Sequence, residues 1–247
     1  MSNQVLGHAL LSAAVTPLLP IGRIAATSKW RDRRVGGTPY APAVATAGAG
    51  GDTAGPRGRP LRVLTICTAN RCRSPMAAAL LARALPVAAR DRVEVRSAGF
   101  GPPGLPAVPE TVKVMAEVGV DLEGHRSRRV DVELLTGADL ILTMTVAHAV
   151  QVVDVLPAAW SRTFPIADLV RRGGELGGPR TGEHVAAWLG RLGDGRAPAD
   201  LLMTPHSVDV TDPIGRPPRA HRRTRDLLAG LVEPVAGWLS GADVIRR

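Results

Sequence analysis

The sequence predicts an α/β fold: a single domain with a four-stranded parallel sheet flanked by helices on both faces, preceded by a disordered N-terminal extension. Three observations carry this. Short strand-like runs at Leu61–Ile66, Val93–Ser97 and Asp139–Met144 alternate with helical patterns, and the connections are long enough to cross from one parallel strand to the next. The run Asp139-Leu140-Ile141-Leu142-Thr143-Met144 is apolar without alternation, as in a strand covered on both faces. The first strand feeds a short loop and then a helix start, so a site belongs beyond the C-terminal ends of the strands.

The elements follow in order. Residues 1–60 read as an extension, because Thr38 to Pro60 is Gly, Ala, Pro and Thr with little to bury. Val5 to Ile24 is apolar but broken by His8, Pro17 and Pro20, and no basic segment precedes it as a signal peptide requires. A disordered extension, or a start codon assigned too early, fits better. The folded domain spans 61–247. After the first strand, Ser74 to Ala89 is Ala/Leu-rich and helical, with Pro75 where a missing N–H costs nothing. Val93 to Ser97 alternates as a second strand, and Ala98 to Gly104 is a loop. Pro109 to Val118 is a helix closed by Gly119, and Val146 to Leu156 is another. Arg162 to Ile166 is the fourth, edge strand. Gly173 to Pro179 reads as a flexible loop and Glu183 to Leu192 as a short helix. The last helix, Ala220 to Leu239, is interrupted near Pro234.

The chemistry concentrates in Val63-Leu64-Thr65-Ile66-Cys67-Thr68-Ala69-Asn70-Arg71-Cys72-Arg73-Ser74-Pro75. Loop amides and the first free N–H groups of a helix converge on one spot, which makes a phosphate-binding loop after the first strand. The field that holds a phosphate dianion also stabilises a thiolate, so Cys67 should be a low-pKa nucleophile aimed at phosphorus. Arg73 can pair two phosphate oxygens. Ser74 can donate to the sulfur when that sulfur must leave. The plain alternative is a buried strand-end thiol and a surface helix arginine.

Composition bounds the remaining classes. The chain has 247 residues, 45% hydrophobic and only 3% aromatic, so its core must be Ala, Val and Leu. Both cysteines lie in the loop, which argues against a disulfide-stapled secreted fold and for a reducing, cytoplasmic compartment. No run is long and apolar enough to span a bilayer, so no membrane partner is expected. The net charge of +9 invites a nucleic-acid reading, but residues 1–60 hold seven Lys/Arg against two Asp/Glu. Over half the excess therefore sits in the extension, and no basic stripe is interleaved with aromatics, so no nucleic-acid partner is expected. His148, His184, His206 and His221 lack metal-ligand spacing and read as surface residues.

The loop resembles the signature of the low-molecular-weight protein tyrosine phosphatases: Cys67, Asn70, Cys72, Arg73, Ser74 and Pro75 stand where that family has them. Ser97-Ala98-Gly99, His125-Arg126-Ser127-Arg128 and Asp139 to Met144 are similar to further elements of the family, in the same order. The resemblance covers about residues 61–240 and implies a protein-tyrosine phosphatase that works through a cysteinyl-phosphate, with a phosphotyrosine protein or a small phosphate ester as partner. It implies Cys67, Arg73 and Asp212 as catalytic residues, and Thr68, Ala69, Asn70, Arg71, Cys72 and Ser74 as the phosphate cradle. Asp212-Pro213 matches the dipeptide of the general acid, with Asp209 as the fallback. Asn70 should tie the loop to Ser97 or to His125, although His125 reads equally well as a surface histidine. Cys72 is either a reversible disulfide partner for Cys67 or a small buried filler. No cofactor and no metal are implied.

Four positions depart from the family pattern. Ala69 replaces a glycine, so a positive φ there would be strained. Ala78 replaces a glutamate near His125, and Ile214 replaces an aromatic that packs against a phosphotyrosine ring. Arg71, at the variable position that influences substrate choice, could favour acidic substrates or repel a phosphoguanidinium. The competing readings are a phosphoarginine phosphatase, an arsenate reductase using an external thiol (no cysteine follows Cys72 to relay oxidation), and a non-catalytic phosphate-binding module. Nothing in the sequence indicates an oligomeric state.

Overall fold

The computed structural model describes residues 59–203 and 206–241. The expectation of a disordered extension over residues 1–60 lies outside the described residues except at its end, where Arg59 is held by the Asp139 carboxylate at 2.7 Å. The elements run β1 (Leu61–Cys67), α1 (Arg73–Ala84), α2 (Val87–Arg90), β2 (Val93–Gly99), α3 (Pro109–Ala116), α4 (Val132–Gly137), β3 (Leu140–Thr143), α5 (Val146–Val155), β4 (Thr163–Pro165), α6 (Ile166–Leu176), α7 (Val185–Gly193), α8 (Asp200–Met203) and α9 (Pro218–Gly241).

All strand pairings are parallel, in the order β2-β1-β3-β4. The chain leaves β1 toward one side for β2 and reaches β3 on the other. The order therefore reverses at β1, and the crevice beyond its C-terminal end is where such sheets bind ligands. Residues of β1 and β3 alternate between two cores. Val63, Leu140 and Leu142 face the larger one with α1 and α9, while Leu64, Ile66 and Ile141 face the other with Leu134, Leu135 and Val152. Every residue of β3 is buried, as its unbroken apolar run predicts.

Three sequence expectations change. The helix expected through Ala89 stops at Ala84, because Leu85 precedes Pro86 and is pushed out of the helical region to φ −61, ψ 130. Gly173 to Leu176 is helix, not loop. A Cβ on Gly173 would meet the Trp238 ring at 2.3 Å, and one on Gly178 would do the same, so these glycines let a tryptophan lie flat on the segment. The last helix runs unbroken through Pro234, held by the buried face Leu231, Val232, Val235 and Leu239 against the roughly 3 kcal/mol that an interior proline costs. Helix α4 was unread. Its signal was Asp131, whose carboxylate caps the helix by accepting from Leu134 N at 2.7 Å.

Candidate active site

β1 delivers Cys67, 2% exposed, to the C-terminal edge of the sheet, and α1 begins at Arg73. The loop between them is turned with its carbonyls outward. Thr68 O accepts from Phe100 N (2.7 Å) and Gly101 N (2.8 Å), and Arg71 O accepts from Val108 N (3.0 Å). Asn70 O faces His125 Nε2 at 2.6 Å, and Cys72 O accepts from Met76 N at 3.1 Å. The amides of Ala69, Asn70, Arg71 and Cys72 donate to none of the described residues, and no side chain caps α1 or puts an acid in its first turn. The concave face of the loop is thus lined by N–H groups at a helix N-terminus, the arrangement that binds an anion.

Asn70 holds this shape. Its Nδ2 donates to Ser74 Oγ (2.9 Å) and Ser97 Oγ (2.8 Å), and its Oδ1 accepts from Arg128 N (2.8 Å). It therefore ties the loop to Ser97 by its side chain and to His125 by its carbonyl. His125 is buried rather than a surface residue, and burial holds its pKa below the usual value. Asn70, at φ 52, is the one non-glycine residue with positive φ among the described residues, so the alanine at 69 sits without left-handed strain. The glycine the loop needs is Gly99. A Cβ there would stand 2.6 Å from Asn70 N, 2.8 Å from Cys67 O and 2.9 Å from Thr68 O.

Cys67 Sγ lies 3.0 Å from Ser74 Oγ. That hydroxyl accepts from Asn70 and has a second acceptor, Ala98 O, at 3.2 Å, so its single proton can serve a sulfur that carries charge. Arg73 is 4% exposed; its Nη1 donates to Val210 O (3.1 Å), and its Nη2 to Thr68 Oγ1 (3.1 Å) and to the Asp212 carboxylate. Its Nε is buried and has no partner among the described residues. Val210 N bonds Met144 O at 2.8 Å, which fixes the late loop to the end of β3 and brings Asp212 to the site. Asp209 does different work: its Oδ1 accepts from Val146 N at 2.8 Å, at the start of α5.

The remaining cradle residues vary in exposure. Thr68 is exposed, and Ala69 and Arg71 are half-buried. Arg71 is pinned by Nε to Pro106 O at 2.8 Å. Cys72 is buried, accepts from Thr111 Oγ1 at 3.0 Å and is pushed up to about 12, chiefly by burial. Both cysteines are free thiols. Ala78 is fully buried in α1, and Ile214 is 43% exposed beside Asp212.

Two histidines expected on the surface are not there. His221 is fully buried, with Nδ1 3.1 Å from Thr111 Oγ1, on the apolar inner face of α9. His148 is buried at the start of α5, 3.0 Å from Thr68 Oγ1, and its contact with the loop had no signal in the sequence. Among the described residues no group of three or more His, Cys, Asp or Glu could hold a metal, and no helix is long and apolar enough to cross a membrane.

An amide-lined loop between a parallel strand and a helix, with a thiol at one end and a guanidinium at the other, defines a cysteine-containing phosphate-loop protein. A family model for low molecular weight phosphotyrosine protein phosphatase matches residues 62–176. The chain is 33% identical over 179 residues to a protein-arginine-phosphatase of Geobacillus stearothermophilus, covering 72% of this chain and 95% of that protein. It is 39% identical over 103 residues to the low molecular weight protein-tyrosine-phosphatase Etp of Escherichia coli K12, covering 41% of this chain and 66% of Etp. A crystal structure of a low molecular weight protein tyrosine phosphatase from T. tengcongensis superposes with a TM-score of 0.53 at 30% identity, over 71% of this chain and 97% of that one. The chain belongs to the low-molecular-weight protein-tyrosine-phosphatase family.

Proposed function

We propose that the protein hydrolyses phosphotyrosine in proteins through a cysteinyl-phosphate. The observation that carries this reading is the convergence of the Cys67 thiol, the Ser74 hydroxyl at 3.0 Å and the Arg73–Asp212 pair on one amide-lined loop. In the first step the Cys67 thiolate attacks phosphorus in line, the P–O bond to the leaving group breaks, and Asp212 gives that oxygen its proton. Ser74 and the loop amides hold the charge, while Arg73 spans the equatorial oxygens. In the second step Asp212 takes a proton from the water that attacks phosphorus. The S–P bond breaks, and Cys67 leaves as a thiolate facing the Ser74 hydroxyl. The cradle is Thr68, Ala69, Asn70, Arg71, Cys72 and Ser74, the catalytic unit is residues 61–247, and a reducing cytoplasm suits two free thiols.

A second reading, phosphoarginine hydrolysis, is favoured by the arginine-phosphatase relative, 95% of whose length this chain matches. Arg71 weighs against it. Pinned to Pro106 O, its guanidinium would face the cationic leaving group of a phosphoarginine. The test is metal-free phosphate release from phosphotyrosine and phosphoarginine peptides by the wild type and Cys67→Ser. Phosphotyrosine turnover that vanishes in the variant is the expected result. Turnover of phosphoarginine alone would overturn the substrate, and turnover of neither would favour a binding module.

A further inference from the structure

We propose that His148 is a positioning residue for Arg73, acting through the Thr68 hydroxyl. The proposal rests on the reading above, in which Arg73 holds the phosphoryl group.

The hydrogen-bond chain has one end of fixed direction. A guanidinium has no acceptor, so in the 3.1 Å contact Arg73 Nη2 donates and Thr68 Oγ1 accepts. We assign the single Thr68 proton to its other neighbour, His148 Nε2 at 3.0 Å. In that assignment Nε2 is the bare nitrogen of the ring and Nδ1 carries the hydrogen. Nδ1 then donates to Thr145 Oγ1, 2.9 Å away, and the same oxygen accepts the His148 amide at 3.2 Å as the cap of α5. His148 is 5% exposed, and Phe100 stacks on its ring at 6.2 Å with 16° between planes. Burial and the charge of Arg73 hold His148 down to about 4, so the ring stays neutral and one of its nitrogens keeps a lone pair.

The consequence is a hydroxyl rotor fixed with its lone pair toward Arg73. Thr68 is an exposed residue on a loop, and its hydroxyl would otherwise turn freely or bond water. In the resting site the guanidinium has three anchors: Val210 O, Thr68 Oγ1 and Asp212. A bound phosphoryl group competes with Asp212 for the Nη2 edge. The plane of the guanidinium is then set by Val210 on one nitrogen and Thr68 on the other, and the second of these is only as firm as His148 makes it.

The experiment uses the full chain and two readouts: inorganic phosphate binding by calorimetry, and kcat and KM on a phosphotyrosine peptide. His148→Leu keeps the buried space filled but removes the acceptor, and His148→Gln restores one. Thr68→Val removes the hydroxyl from an exposed position, which keeps the test alive if His148→Leu fails to fold. We expect phosphate affinity to fall about five- to tenfold in His148→Leu and in Thr68→Val. The double variant should be no worse than either alone, and His148→Gln should recover most of the loss. Unchanged phosphate affinity in a folded His148→Leu, or additive losses in the double variant, would overturn the proposal. Phosphate binding does not depend on turnover, so failure of the wild type to cleave phosphotyrosine would sink the functional reading and leave this one standing on its own measurement.

Discussion

Asp212 places one carboxylate oxygen on Nη2 of Arg73, so the group assigned to proton transfer is engaged by the group assigned to the phosphoryl oxygens. The two cannot both be satisfied when an anion takes the guanidinium edge. Asp212→Asn should therefore bind inorganic phosphate several-fold more tightly than the wild type while kcat falls by about a hundredfold or more. Calorimetry beside steady-state kinetics checks both halves. Weaker phosphate binding in the variant would mean the pair does not compete with the ligand.

Arg71 should set the choice between phosphorylated residues. Removing its guanidinium in Arg71→Ala should raise kcat/KM for a phosphoarginine peptide relative to a phosphotyrosine peptide by about three- to tenfold, as like-charge repulsion at the mouth is relieved. An unchanged ratio, measured with both peptides on one preparation, would remove Arg71 from the argument.

Gly99→Ala should disrupt the cradle from outside it. The added methyl would press on Asn70 N, Cys67 O and Thr68 O at once, all of them backbone atoms with nowhere to move. We expect a loss of about 1–3 kcal/mol in stability and a loss of phosphate affinity, read by denaturant melts and calorimetry. Asn70→Ala should give a comparable stability loss, because it leaves a left-handed φ on alanine and strips three side-chain hydrogen bonds.

Acid should weaken the fold in two stages. His148 titrates near 4 in the folded chain against an ordinary value of 6.5, so between these values the unfolded chain holds a proton that the native one refuses. Its contribution, about 3 kcal/mol, is complete above pH 6.5 and lost by pH 4. His125 and His221, also lowered mainly by burial, act in the same direction. Below pH 4.5 the unfolded chain protonates Glu117 and Glu183 while the native one, holding them near 2 chiefly through Arg222 and Arg191, keeps them charged, so their contribution falls with pH and is gone near pH 2. Urea melts at pH 7, 5.5 and 4 should show the first stage, and His148→Leu should flatten it.

The sheet and the cradle were legible because their signals are local. An unbroken apolar run marks β3, and a cysteine, an arginine and an Arg-Ser-Pro step after a strand mark the loop. Asp212 was legible only through resemblance, since its place depends on Val210 reaching Met144, a contact 66 residues apart in the chain that no spacing encodes. His148 and His221 were misread for a related reason. Each is polar on a helix, and only packing decides whether a polar side chain turns to water or to a buried partner. Pro234 and Gly173 look like breakers in sequence, but tertiary contacts overrule local propensity at both.

Trp188, fully buried in α7, and Trp238 in α9, whose ring lies against Gly173 and Gly178, stand with ring centroids 5.5 Å apart and planes at 59°. Two indoles this close and this inclined couple their electronic transitions, so the far-ultraviolet circular dichroism of the protein should carry a couplet that isolated tryptophans lack. Trp188 lies past residue 176, beyond the span that the family model matches. The pair is therefore an optical tag on the docking of that later segment against the last helix, and its signal can be followed independently of any chemistry at Cys67.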